Sequence, residues 1–243
     1  MEKPQRLDKL LAGQSTLSRK QVRELVREGA VCVDNLPVRA PDYKVPRGAV
    51  ITVQGRRLQI RQYLYLMLNK PAGVVSASRD SRTPTVVDLV PPHFARKGLF
   101  PAGRLDKDTT GFVLLTDDGQ LAHRLLAPKN EIPKTYVATL NQPVTPEMAA
   151  AFAQGVLLAD GSRCLPAALA PLGSHTARVV LHQGMYHQVK RMFAALGARV
   201  TALERTAIGQ LVLDPALPPG RCRPLSENEL VLLQAGAADP PCW

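Results

Sequence analysis

The sequence predicts an α+β protein in two parts: a small basic N-terminal domain and a larger domain built on a mostly antiparallel mixed sheet. Three observations predict it. Apolar runs of strand length outnumber helical repeats in the second part, and short turns join many neighbouring strands. Residues 1–62 carry 13 basic and 6 acidic side chains, so a quarter of the 243-residue chain holds +7 of its net charge of +11. Between the two parts runs QGRRLQIRQ (54–62), polar and basic, which reads as a short linker. The expected division is a domain over 1–58, a linker over 59–63, a second domain over 64–235 and a frayed tail over 236–243.

The charge asymmetry points to a polyanion-binding module attached to a more neutral domain, and nucleic acid is the polyanion it suits best. No long apolar anchor or signal peptide is seen, so an anionic membrane is not the expected partner. Cys32, Cys164, Cys222 and Cys242 include no C-x-x-C pair, and the five histidines lack metalloprotease spacing. The expectation is a reducing cytoplasm, with neither disulfide nor metal.

In the first part, Leu7, Leu10 and Leu11 give one apolar helix face. Ser18 suits the N-cap of a second helix, where Val22, Leu25 and Val26 repeat that face. Arg19, Lys20, Arg23 and Arg27 lie elsewhere on this helix, as an ordinary solvated face or as an anion-binding one. Gly29 is a stop, Val31–Val33 a strand, Asp34-Asn35 a turn and Ala49–Val53 a further strand. RLDKLLA, SRKQVRELVREGAVCVDN and VITVQG, in this order, resemble the S4 RNA-binding domain. The resemblance implies that the helix pair and following strand grip structured RNA, mostly through phosphates. RNA would continue along the basic linker. Asp34-Asn35 departs from the usual Asn-Gly but still tolerates positive φ.

In the second part, YLYLML (63–68) is a buried strand that Asn69-Lys70-Pro71-Ala72-Gly73 ends with turn residues. A Pro-rich loop leads to a strand at Phe112–Leu115, a turn at Asp118-Gly119 and a short helix over 121–126. KTYVATL (134–140) alternates like a strand. Thr145 and Pro146 open a helix that Gly155 closes. Strands follow at 163–170 and 176–182, a helix over 186–196 closed by Gly197, and strands near 199–205 and 208–213. Ser226 and Glu229 make a capping box for a last helix.

The densest cluster of chemistry is GRLDKDTTGFVLLTDDG (103–119). Asp106-x-Asp108-x-Thr110 formally matches a phosphotransfer motif, but that needs a buried parallel strand before the first aspartate. Pro101 and Gly103 argue against one. Asp108, Asp117 and Asp118 read as turn formers. Asp106 stands apart: Gly103 permits an unusual backbone and close approach of a ligand, and Arg104 sets a guanidinium beside it.

This stretch resembles the second motif of the pseudouridine synthases, in the branch that modifies ribosomal RNA and carries an S4 domain. LNKPAG (68–73), KTYVATL, GMYHQVKRMFAALG (184–197) and ERTAIGQLVL (204–213) resemble its other blocks, in family order. The resemblance implies that Asp106 is the catalytic aspartate and Tyr136 the ring that stacks on a flipped uracil. It implies that Lys190 is the cation paired with the aspartate. Arg191 and His187 then touch RNA, and Arg104 holds the vacated site or its phosphates. On the helix, Val189, Met192, Phe193 and Leu196 form the buried stripe, while His187, Lys190 and Arg191 share another face. A solvated basic face fits that spacing too, and the adjacent pair leaves Lys190 and Arg191 both open as the partner of Asp106.

The implied reaction breaks the C1′–N1 bond of uridine, rotates the uracil and joins C1′ to C5. Nothing is oxidised, so no cofactor is implied; one carboxylate serves as nucleophile or as base. HQVKRMF resembles the type acting on one uridine of 16S ribosomal RNA, met in a partly assembled small subunit, with the enzyme a monomer. A 23S uridine and a non-catalytic S4 assembly factor are the alternatives.

Overall fold

The computed structural model describes residues 5–46, 48–58 and 60–235. They fall into two compact units, one within Met1–Leu64 plus Pro91–Leu99, the other within Tyr65–Val90 plus Phe100–Trp243. The expected tail at 236–243 lies outside the described residues.

The first unit begins with β1 (Gln5–Arg6), α1 (Leu7–Gly13) and α2 (Arg19–Arg27). Short strands follow: β2 (Val31–Val33), β3 (Leu36–Pro37), β4 (Lys44–Val45), β5 (Ile51–Val53) and β6 (Arg56–Leu58). Ser18 caps α2 in a full capping box with Gln21. Leu7, Leu10, Leu11, Val22, Val26, Val31, Val33 and Ile51 close its core. Asp34 and Asn35 both take positive φ, as the β2–β3 turn requires. Arg19, Lys20, Arg23 and Arg27 are exposed. Arg23 also bonds Asp8, whose buried carboxylate accepts Arg6 Nε at 3.0 Å and Arg23 Nε at 3.1 Å. Led by the Arg6 hydrogen bond, these contacts hold the Asp8 carboxyl down at about 2.

Two expectations change here. QGRRL is not linker: Gln54 and Gly55 turn the chain at positive φ, and β6 pairs back on β5 with Ile51 opposite Leu58. Pro91–Leu99, expected in the larger domain, groups with the first unit, where Lys97 N donates to Ser15 O at 3.3 Å.

The second unit contains β7 (Tyr65–Lys70), β8 (Phe100–Pro101), β9 (Thr110–Thr116), α3 (Gly119–Leu126) and β10 (Lys134–Leu140). It continues with α4 (Pro146–Gln154), β11 (Ala168–Pro171), β12 (Thr176–Leu181), α5 (Gln188–Ala195) and β13 (Val200–Ile208). β14 (Leu211–Val212), β15 (Cys222–Pro224) and α6 (Glu227–Gln234) complete it. One sheet runs in the order β11-β12-β10-β13-β9-β7-β15. Every pairing along it is antiparallel except β13 with β9. This is the α+β architecture with a mostly antiparallel sheet.

Two cores flank that parallel seam. Ala138, Phe152, Val179, Val189, Met192 and Phe193 pack on the β10–β12 side, and Met67, Phe112, Leu114, Leu121, Leu125 and Leu233 on the β7–β9 side. The seam is close because Gly111 has no side chain. A Cβ there would lie 2.4 Å from the Arg205 carbonyl oxygen, and its φ of +97° is itself a glycine conformation.

Candidate active site

The turn from Gly103 to Thr109 leads into β9 and carries Asp106. Gly103 takes φ +99°, but a Cβ there would meet Leu126 Cδ2 at 3.0 Å, so the glycine relieves local crowding as well as the backbone. The turn is clamped from the segment after β7. Buried Ser76 bonds both ends of the Leu105 peptide, its Oγ accepting from Leu105 N at 3.0 Å and donating to Leu105 O at 3.1 Å. Gly73 N donates to Lys107 O at 2.8 Å.

Lys70 completes the clamp and corrects its reading as a turn residue. It is the last residue of β7 and fully buried. Its ammonium donates to Thr109 O at 2.7 Å, Pro71 O at 3.0 Å and Lys107 O at 3.2 Å. Three carbonyls satisfy three N–H donors, which is what a buried ammonium needs. Burial lowers its pKa to about 8, against the pull of Asp108 and Asp106. The unfolded lysine, near 10.5, therefore keeps a proton that the folded one gives up, so stability rises with pH from about 8 to 10.5. Lys70→Met is expected to shrink that rise, leaving the share of Lys134, which burial also lowers to about 8. It should also slow turnover by loosening the 107–109 turn. Urea unfolding of both proteins across this range is the check; the same slope in the variant would contradict the assignment.

Asp106, at 23% side-chain exposure, faces α5. Lys190 Nζ lies 2.9 Å from Asp106 Oδ2 and 2.6 Å from Asp108 Oδ1, so one ammonium bridges two carboxylates. His187 Nε2 lies 3.3 Å from Asp106 Oδ1. Burial opposes the Lys190 charge, but hydrogen bonds to Asp106 and Asp108 outweigh it and raise the lysine's pKa. The Lys190 hydrogen bond in turn holds Asp108 below the ordinary carboxylate range. Asp108 is thus more than a turn former. So is Asp118, the buried N-cap of α3, which accepts from Gln120 N and Leu121 N and from the Tyr65 hydroxyl at 2.8 Å.

The helix α5 starts at Gln188, two residues later than its apolar pattern predicts. Val189, Met192 and Phe193 are buried, as the pattern requires. His187 sits at the N-cap in the left-handed region, φ 49° and ψ 34°, and makes no capping bond. Buried Gln188 fixes the approach instead: its Oε1 accepts from Met185 N at 2.9 Å and its Nε2 donates to Gln183 Oε1 at 3.2 Å. That lock aims the next polar turn of the helix at Asp106.

The remaining predicted residues are placed differently. Arg191 points away from Asp106 and ion-pairs with Asp160, which Ser162 also bonds. Tyr136 is half-buried on β10, packed against the Ala138–Phe193 core, with Val179 and Arg205 as its register partners. Arg104 is exposed beside the turn. Arg19, Lys20, Arg23 and Arg27 belong to the first unit. Sequence reasoning missed Lys70, Ser76, Gln188 and Arg205. The Arg205 guanidinium is buried on β13, its Nε donating to Phe112 O at 2.8 Å while Nη2 has no protein partner. Only the ERTAIG block hinted at it. The arrangement offers the Asp106 carboxylate, flanked by an ammonium that it shares with Asp108 and by an imidazole, and held by a fixed turn.

Comparison with known proteins gives a consistent picture. Residues 64–195 match the family model described as RNA pseudouridylate synthase, and residues 5–51 match the S4 domain. An uncharacterised RNA pseudouridine synthase of Bacillus subtilis is 46% identical over 94% of this chain and 98% of its own length. The ribosomal small subunit pseudouridine synthase A of Haemophilus influenzae is 41% identical over 93% and 97%. A crystal structure of a pseudouridylate synthase matches with a TM-score of 0.67 and 40% identity, over 94% of this chain and 99% of that one.

Proposed function

The chain belongs to the RNA pseudouridine synthase family and carries an S4 domain, and from that premise we propose that it isomerises one uridine of 16S ribosomal RNA, with Asp106 as the reacting carboxylate. The observation that carries this reading is the Asp106 carboxylate held between Lys190 at 2.9 Å and His187 at 3.3 Å, with Asp108 on the same ammonium, on a turn fixed by Lys70 and Ser76.

The chemistry follows from what these residues do. The target uridine leaves its stack to reach the turn, at a cost of a few kcal/mol. Tyr136 offers its ring to the extruded uracil. Asp106 attacks C1′ or removes a sugar proton; either role needs the ionised form. RNA phosphates oppose that charge, and the Lys190 ammonium favours it. The C1′–N1 bond breaks, the uracil turns, C5 joins C1′ and displaces any bond to Asp106, the C5 proton leaves to solvent and N1 takes up a proton from it. The clamp keeps the turn from reorganising during these steps.

The 16S assignment rests on two supports: the HQVKRMF block, and a relative named for the small ribosomal subunit at 41% identity over nearly its full length. The enzyme is taken to act as a monomer in the cytoplasm, on a partly assembled subunit. Purified protein given 16S and 23S RNA labelled with tritium at uridine C5, each both free and partly assembled with ribosomal proteins, should release tritium from the 16S substrates alone. Release from 23S alone would move the target to the large subunit.

Binding is assigned to the α2 face, with phosphates as the ligands. Arg19, Lys20 and Arg27 are exposed, whereas Arg23 shares its charge with Asp8. Changing all three to Gln is expected to reduce the slope of log affinity against log salt by roughly 2 to 3, about one unit per lost phosphate contact. A filter-binding titration across salt concentrations measures this, and an unchanged slope would remove the face from the RNA interface.

A further inference from the structure

Tyr186 is 74% exposed, more than any other large apolar side chain among the described residues. It does not serve the core, yet it is not loose in geometry. Its ring lies nearly parallel to the His187 imidazole, centroids 3.8 Å apart and planes 18° off. That imidazole is the group 3.3 Å from Asp106. The phenol ring is thus stacked on the imidazole that touches the carboxylate, and it is largely exposed to solvent. Two further features mark the stacked pair. His187 accepts a left-handed backbone, unusual for a residue with a side chain, and Arg191 Nη1 donates to the Tyr186 carbonyl at 3.4 Å.

An exposed aromatic face, rigidly spaced from a reacting carboxylate that acts on RNA, has an obvious complement in a nucleobase. Base–aromatic stacking is worth about 1–3 kcal/mol per base and tolerates any base, because each has a π face. The uridine being isomerised must meet Asp106 itself, whereas Tyr186 touches His187, the neighbour of that carboxylate, and leaves most of its own surface open. We infer that Tyr186 is a stacking platform for a nucleotide beside the target uridine, holding the strand open while the uridine occupies the site. This inference rests on the reading of the protein as an RNA-modifying enzyme, and it adds a base-binding position to that reading. The bond that Arg191 makes to the Tyr186 carbonyl gives Arg191 a part in holding the platform.

The test compares Tyr186→Ala, Tyr186→Phe and wild-type protein, with tritium release from 16S RNA or from small-subunit particles lacking the modification. Tyr186→Ala is expected to raise KM about 5- to 150-fold, the equivalent of one lost stack, and to leave kcat within about threefold. Tyr186→Phe should restore KM, because stacking needs the ring and not the hydroxyl. An unchanged KM in Tyr186→Ala would overturn the inference, as would Tyr186→Phe failing like Tyr186→Ala. A fall in kcat with KM unchanged would also overturn it, placing Tyr186 as a support for His187. If wild-type protein itself modifies neither substrate, the fault lies with the proposed function and not with the platform.

Discussion

Asp106→Asn is expected to abolish pseudouridine formation, lowering turnover by at least about a thousandfold, while RNA affinity stays within a few-fold of wild type. The amide is nearly isosteric but is neither nucleophile nor base. The structure explains why the rest of the site should survive. Lys190 keeps its 2.6 Å contact with Asp108 when the contact to Asp106 is weakened, so α5 remains docked. The turn is held through its backbone by Lys70, Gly73 and Ser76, none of which bonds the Asp106 carboxylate. Tritium release and filter binding on the same preparation separate the two effects. Substantial turnover in the variant would remove Asp106 from the chemistry.

Lys190→Met should produce the second-largest loss. It deletes the ammonium that bridges two carboxylates and leaves Asp106 and Asp108 without the cation that they share. A fall in kcat of about 10²- to 10³-fold is expected, the range for removing one preorganised charge from an active site. Lys190→Arg should retain much of the activity, because a guanidinium fork reaches two carboxylates at least as well as a point charge. Arg191→Gln is the informative contrast. Arg191 pairs with Asp160 and not with the turn that carries Asp106, so its loss should bear on KM. Steady-state kinetics on the three variants decide which basic residue serves Asp106. A larger kcat loss in Arg191→Gln than in Lys190→Met would reverse the assignment.

The ambiguity between Lys190 and Arg191 shows where sequence reasoning stops. Helical spacing puts both on the polar face of α5, and only the direction of the helix selects one. Gln188 locks the approach at 183–185 through side-chain contacts that leave no periodic signal in the sequence. Local chemistry was legible. The Ser18 N-cap, the Ser226 capping box, the Thr145-Pro146 start and the 134–140 strand lie where capping and alternation place them.

Long-range satisfaction was not legible. Lys70 looks like a turn residue because Asn-Lys-Pro is a turn-forming string and lysine is seldom buried. Its burial is tolerable only because the carbonyls of Lys107 and Thr109, far along the chain, arrive beside it. The hairpin at Gln54-Gly55 was hidden by a strand of two arginines. The parallel seam between β9 and β13 has no local signature beyond one glycine, yet it brings Arg205 against the strand that leaves the Asp106 turn. Asp108 was masked by its own residue type, since aspartate in a turn needs no further reason to be there.

The most direct test of the whole account is a single-nucleotide map of pseudouridine in ribosomal RNA. It would be taken from cells lacking this protein, then from the same cells given back wild-type protein or Asp106→Asn. The account predicts that one 16S position loses pseudouridine, that wild-type protein restores it and that Asp106→Asn does not. An intact 16S map in the deficient cells, or restoration by Asp106→Asn, would contradict it.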